Sequence, residues 1–458
     1  MSTLVLLNHC LRLKDNPLLA QASGELCAVV TLEKTQFFGK QYGLHRANLT
    51  RLRQQMLLIA DLKQQLAKHH IGLVTLFGNS TTELLQLAKR LKATKLLAAE
   101  PTAPEEYHLF QQLATQLKLN LNDANSLLAN QLRPDLVMLS DRFTSFRKRL
   151  EPLLLVSAPL TDFSPSGSQQ WLSPETAWTL SESWQQLTDF APALPQSQKL
   201  SGPLYACESA SWQRIEHYLW QQKHILHYKE TRNGLVGENY ASFFSIPLAL
   251  GSLSVRSLWQ QIELFEQQVA ANDSTYWLKF ELLWREFFRW QMRKYQTAWF
   301  SANGIKGPKQ FLPPQLNVKM RLRFAQWCQG QTGVPFVDAN MRLLNQSGLM
   351  SNRGRQNVAS YLIHDLGLDW RLGAAYFEQR LLDYDVASNW GNWAYIAGYG
   401  NSEARPFNII KQALSYDANA DFVKQLLPEI IASGKAAHRP SSGSILASHS
   451  RDWFTELD

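Results

Sequence analysis

Four short strings in the second half of the chain place reactive residue types close together. They are Ser351-Asn-Arg-Gly-Arg355, Asp369-Trp-Arg371, Asp383-Tyr-Asp385 and Asn389-Trp-Gly-Asn-Trp393, in order over 43 residues. Two aspartates one residue apart can hold a cation, close a turn, or accept hydrogen bonds from a heterocycle. Spacing alone favours the turn. Other reactive groupings are poorer. His224 and His227 are three apart with no matching second pair, which argues against a metal site. The cysteines stand at 10, 27, 207 and 328, too scattered for a zinc or iron–sulfur pattern or a disulfide framework. No P-loop, Ser-His-Asp arrangement or metal-binding helix is present.

These strings need elements to position them. Over the first 125 residues, Leu4–Leu7, Leu26–Leu32, Ile71–Phe77, Lys95–Ala99 and Leu117–Leu121 read as buried strands, and 45–69, 82–93 and 103–116 as helices. That alternation predicts a doubly wound parallel sheet. No G-x-G-x-x-G follows the first strand, so the usual nucleotide-binding turn is missing. Residues 126–207 read as an interdomain linker: seven of the 19 prolines fall in 151–205, among many serines. A helical domain is expected over 208–432. Its clearest helix is 274–297, and Asn340–Gln346 and 354–380 continue the pattern. The tail from 433 reads as loosely packed.

The chain has 458 residues, 45% hydrophobic and 18% charged, which excludes disordered and highly charged coiled-coil classes. It carries 15 Trp, 14 Tyr and 22 Phe, and a net charge of +8. The charge is concentrated: residues 282–356 hold twelve Lys/Arg against Glu286 and Asp338. Cations mixed with tryptophans make a candidate nucleic-acid surface, and a solvated face is the plainer explanation. No apolar stretch reaches about 18 residues, and no charged leader with a cleavage site is present. A cytoplasmic, non-membrane protein is expected.

Taken together, the four strings resemble the flavin-binding core of the photolyase/cryptochrome family. Tyr228-Lys-Glu-Thr-Arg-Asn-Gly234 and Thr275-Tyr-Trp-Leu-Lys-Phe-Glu-Leu-Leu-Trp-Arg285 extend the match. With Gly333-Val-Pro-Phe-Val-Asp-Ala-Asn340, they are most similar to DASH-type cryptochromes. The resemblance covers most of 208–430 and continues more weakly through 1–150. It implies an α/β domain followed by an all-α domain holding FAD. Tyr228, Ser242, Phe244, Ser245 and Arg285 match FAD-contacting positions. Asn352, Arg355, Asp383, Asp385 and Asn389 match residues lining the isoalloxazine. Asparagine at 389 is what the family's photolyases and DASH proteins place opposite flavin N5, where plant cryptochromes have aspartate. Glu281, Trp284, Asn352 and Tyr395 match the pocket for a cyclobutane pyrimidine dimer. Trp393 and Trp370 match the inner and middle members of an electron relay. Ser351 and Asn352 stand where (6-4) photolyases carry paired histidines, so that lesion is not expected. Gln356 and Tyr395 replace a methionine and a tryptophan of classical photolyases, which fits a weaker pocket.

Three features depart from the pattern. Leu6-Leu-Asn-His-Cys-Leu-Arg12 stands where the family usually has Trp-Phe-Arg-x-Asp-Leu-Arg. The outer relay position falls near Asn317, and no tryptophan lies between 300 and 326, so Trp299 could serve only if its loop folds back. The segment Gly400–Phe407 is about two residues shorter than in typical DASH proteins. Glu151 falls where DASH proteins contact the antenna 5,10-methenyltetrahydrofolate, and is equally an ordinary glutamate before Pro152. The expected function is blue-light repair of cyclobutane dimers, single-stranded DNA preferred, by a monomer. The rival is a photoreceptor on the same fold, and a third reading is a nucleic-acid-binding protein without flavin.

Overall fold

The computed structural model describes residues 2–128, 133–190 and 207–457. The N-terminal domain is a parallel sheet of β1 (Thr3–Leu6), β2 (Gly24–Glu33), β3 (Leu73–Gly78), β4 (Lys95–Ala99) and β5 (Lys118–Asn122), in spatial order β3-β2-β1-β4-β5. β1 pairs on both sides, Thr3 facing Leu26 and Lys95. The connecting helices α1 (Leu49–Ala67), α2 (Ser80–Leu91) and α3 (Pro104–Leu113) begin at residues suited to the task. Asn48 and Asn79 accept from backbone N–H groups of their first turns. Pro104 opens α3, and Glu106 reaches back to the Thr102 N–H at 2.7 Å. The apolar runs fill cores on both faces of the sheet, as a parallel sheet requires.

Strand order reverses at β1, where doubly wound sheets often bind a ligand beyond the strand ends. Here Arg12 fills part of that region. It is 1% exposed and donates to the carbonyls of Asp15, Ala124 and Gly251 and to Asn125 Oδ1. Gly251 belongs to the helical domain, so Arg12 joins the two. Asp15 accepts from Arg256 at 2.8 and 3.0 Å beside it.

The stretch read as a linker is more ordered than its prolines imply. Gln169–Trp171 forms β6, pairing in parallel with the start of β2. Helices α4 (Phe143–Leu150), α5 (Pro174–Thr179) and α6 (Glu182–Phe190) accompany it. Ser181 and Ser183 hydroxyls accept from the Thr75 and Phe77 N–H groups of β3. Residues 191–206 of that stretch lie outside the described residues.

The helical domain is built on α7 (Asp273–Tyr295), capped by Asn272, with α8 (Val318–Gln329) and α9 (Pro335–Ser347). The expected continuous helix over 354–380 is divided. α10 (Asn352–Ser360) ends in a wide turn at Tyr361–Asp365, and α11 (Trp370–Arg380) starts afresh. Gly367 at φ +63° and Asp369, which accepts from the Arg371 N–H, make the break. α12 (Val386–Ala397) completes the site. The tail also differs from expectation: Ala437, His438, Leu446 and Leu457 are buried, and Asp365 accepts from the Ala447 N–H at 2.7 Å.

The basic run needs the largest correction. Arg293 pairs with Asp123 at 2.7 Å across the domain boundary, Lys294 with Asp141, Arg342 with Glu429 and Arg355 with Asp383. Arg289 is buried beside Asp123, and Arg285 donates to the carbonyls of Asn125 and Leu248. Five of the twelve cations, Arg289, Arg293, Lys294, Arg342 and Arg355, are therefore paired with carboxylates, and Arg285 is buried against backbone carbonyls. Lys306, Lys309, Lys319, Arg321, Arg323 and Arg353 have no carboxylate partner among the described ion pairs, although Arg353 is bonded to Asn233 and Gln356 and lies over Tyr416.

Candidate cofactor site and its mouth

A cavity opens among α10, α11 and α12. Asn352, Arg355, Asp383, Asp385, Asn389 and Trp393 all line it, so the fold gathers one side of the predicted set in one place. Arg355 Nη2 meets both Asp383 oxygens, at 3.0 and 2.9 Å, and its Nε donates to the Met350 carbonyl. That fork fixes a charged edge on the wall. Asp385 caps α12, accepting from the Ser388 N–H at 2.7 Å. Burial alone would raise its pKa, but Arg285 and Arg289 hold it below the usual carboxylate range. Burial and Arg289 in turn lower Arg285 to about 10. Asn389 donates its amide nitrogen to the Ala374 carbonyl at 3.0 Å, which leaves its oxygen for the cavity. Gln356, noted above as replacing a methionine of classical photolyases, lines the site too, with Phe377, Ser388 and Asn392, which had no predicted role. Ser388 and Asn392 follow from the helical spacing around Asn389.

The second predicted group is spread more widely. Ser242 accepts from the Phe244 N–H at 3.5 Å, and Ser245 opens a short helix as an exposed residue. Phe244 is 2% exposed and its ring packs edge-on against Tyr218. Tyr228 is buried, and burial pushes its hydroxyl pKa well up.

At the mouth, Glu281 pairs with Arg232 at 2.7 Å. Burial raises the Glu281 pKa, which Arg232 offsets in part. Trp284 and Tyr395 meet edge-on at 5.9 Å, and Arg405 lies over the Tyr395 ring at 4.5 Å. Tyr395 is one helical turn from Asn392 of the cavity wall. One face of Trp284 is covered: Phe143 stacks on it at 3.6 Å and 13°. Sequence reasoning missed Phe143. Its signal was the i, i+3, i+7 apolar face of Phe143, Phe146 and Leu150 on α4. The segment Gly400–Phe407 is tied down, since Ser402 donates to the Tyr395 carbonyl and Arg405 N–H to that of Ile396.

The tryptophans form two groups. Trp393 touches Trp327 at 6.1 Å and Phe377 at 5.0 Å, and its ring lies on Gly373. Trp370, one turn before Gly373, donates to the Ala302 carbonyl and meets Trp390 at 5.8 Å. The segment after Trp299 does return to Trp370, through the Ala302 carbonyl and through Phe300 on Trp390, while the Trp299 ring itself is buried against Tyr295 and donates to the Gln291 carbonyl. Asn317 caps α8. Glu151 already binds the Tyr276 hydroxyl at 2.8 Å and pairs with Arg147. Among the described residues no group of three or more His, Cys, Asp or Glu is placed for a metal, and no helix is long and apolar enough to cross a membrane.

Two family models match the chain: "DNA photolyase" over residues 3–161 and "FAD binding domain of DNA photolyase" over 277–451. The cryptochrome DASH of Natronomonas pharaonis is 39% identical over 452 residues, covering 94% of this chain and 91% of that protein. The crystal structure of a Synechocystis sp. cryptochrome superposes with TM-score 0.84 at 34% identity, covering 97% of this chain and 93% of that one. A bacterial class III photolyase from Agrobacterium tumefaciens gives TM-score 0.72 at 25% identity, over 97% and 90%.

Proposed function

The chain belongs to the cryptochrome DASH branch of the DNA photolyase family and carries that family's FAD-binding domain, and from this premise we propose that it splits cyclobutane pyrimidine dimers under blue light, preferring single-stranded DNA. The observation that supports this most is the Trp284–Tyr395 pair, with Glu281, ion-paired to Arg232, one turn of α7 before Trp284 and Tyr395 one turn of α12 past Asn392, in the wall of a cavity whose donor set suits a flavin. Arg355, Asp383 and the Asn389 oxygen offer a guanidinium, a carboxylate and a carbonyl to a planar heterocycle.

Bound there, FAD supplies the light-driven electron. The chain's own residues do the remainder. Asn389 presents an amide, which cannot hand over a proton as a carboxylic acid can. Glu281 and Asn352 orient a flipped dimer, and Trp284 and Tyr395 receive its rings. Flipping costs a few kcal/mol in duplex and less where pairing is already absent. Tyr395, in place of a second indole, returns less of that cost, which supports the single-strand preference. A folate antenna at Glu151 would have to compete with Arg147 and Tyr276. Trp393 and Trp370 act as relay residues. A Cβ at Gly373 would sit 2.1 Å from Trp393 Cη2. Gly373→Ala is therefore expected to slow photoreduction of bound FAD about tenfold, read as bleaching at 450 nm. An unchanged rate contradicts the relay.

The test of the function is binding. The FAD-loaded protein should hold a dimer-containing single strand at least tenfold more tightly than the undamaged strand, and equal affinity contradicts the proposal. The salt dependence should follow, at most, the six cations of the basic run with no carboxylate partner. On single strands the slope of log K against log salt is expected to be no steeper than about −4, where twelve cations would allow about −8.

A further inference from the structure

We propose that Phe143, Phe288 and Gly391 form a clamp that fixes the Trp284 indole before a base reaches it. The inference rests on the reading of Trp284 as the ring that meets the lesion. Phe143 lies nearly parallel to the indole at 3.6 Å, and Phe288 leans on it at 5.5 Å and 30°. Phe143 is itself held edge-on by Phe280 at 5.2 Å and Phe287 at 5.7 Å. Phe288 takes its position only because residue 391 has no side chain. A Cβ there would sit 2.3 Å from Phe288 Cδ1 and 2.6 Å from Cε1. Gly391 is inside α12, where glycine costs stability relative to alanine, and it has no positive φ to require it. Close packing against Phe288 is what the glycine permits.

The clamp draws on three distant parts of the chain: α4, α7 and α12. It leaves the indole in edge-on contact with Tyr395 at 5.9 Å. Immobilising a large side chain at the moment of binding lowers affinity, so a ring set in advance binds more tightly without any new contact. Phe143, Phe288 and Gly391 are positioning residues, acting through Trp284.

The test uses the FAD-loaded full chain labelled with 5-fluorotryptophan. The Trp284 ¹⁹F line is assigned by Trp284→Phe. The parent should give one narrow line. Phe143→Ala and Gly391→Ala should broaden or split it, and Phe143→Leu should do so less. Adding Phe288→Leu to Gly391→Ala should restore it, because the space the new methyl needs is returned. Affinity for a dimer-containing single strand should fall about tenfold in Phe143→Ala and Gly391→Ala and recover in the double variant. A narrow, unshifted line in both single variants overturns the clamp. A broadened line with unchanged dimer affinity, in a parent that prefers the dimer, overturns its advantage in binding. Broadened lines in a protein whose parent does not prefer the dimer support the clamp and overturn the repair function instead. FAD absorbance and Tm identify a variant that fails to fold, and Phe143→Leu then carries the test.

Discussion

Glu281→Ala is expected to reduce dimer splitting ten- to a hundredfold while FAD stays bound. The carboxyl is paired with Arg232 and is not among the residues lining the cavity, whose wall holds Arg355 and Asp383. A hydrogen bond to a charged group is worth about 1.5–3 kcal/mol, which gives that range. The pH dependence follows from the raised pKa. A carboxyl whose folded pKa is raised keeps its proton to a higher pH than in the unfolded chain. Its contribution to stability is complete below the ordinary glutamate value of about 4.3 and is lost as pH rises through the folded value. Protonated Glu281 can donate to a dimer carbonyl, so dimer affinity should fall with rising pH over the same window. Glu281→Gln keeps a donor at every pH and should flatten that profile. Loss of FAD from Glu281→Ala, or unchanged splitting, contradicts the assignment.

Arg355→Met should remove FAD. The Asp383 side chain is 4% exposed, and Arg355 is its ion-pair partner. Deleting one partner of a buried pair costs about 3–5 kcal/mol because the other charge is left uncompensated. That cost bears on stability; because Arg355 also lines the cavity, FAD loses a charge-assisted contact worth about 1.5–3 kcal/mol, or about ten- to a hundredfold in affinity. The variant should elute colourless from gel filtration at FAD concentrations that leave the parent yellow. A yellow variant with parental FAD content would mean that the pair does not hold the cofactor.

The parallel sheet was legible because each strand is a short apolar run and each crossover a capped amphipathic helix. Asn79 before α2 and Pro104 at α3 mark their helices without any tertiary information. α7 was legible for the same reason, its aromatic residues recurring at three- and four-residue steps. The break at Gly367–Asp369 carried ordinary start and stop signals, yet the apolar periodicity on either side runs through it. Prolines misled over 151–205, because a proline-bounded segment can still add a strand at a sheet. Gln169–Trp171 does so through pairing that no local pattern records. Charge misled most. Arg289 and Arg293 look like surface cations until the fold brings Asp123 to them from more than 160 residues away. The cavity wall was readable from 351–393 because its residues are near in sequence. Phe143 is 141 positions from Trp284, and only the packing of α4 on α7 brings the two rings together.

The central claim is tested most directly by giving the FAD-loaded, reduced protein a defined thymine dimer under blue light. Single strand and duplex are run side by side with a dark control. Splitting in the illuminated single strand, with little in duplex and none in the dark, is the predicted result. No splitting in either substrate, with FAD bound and reduced, would contradict it.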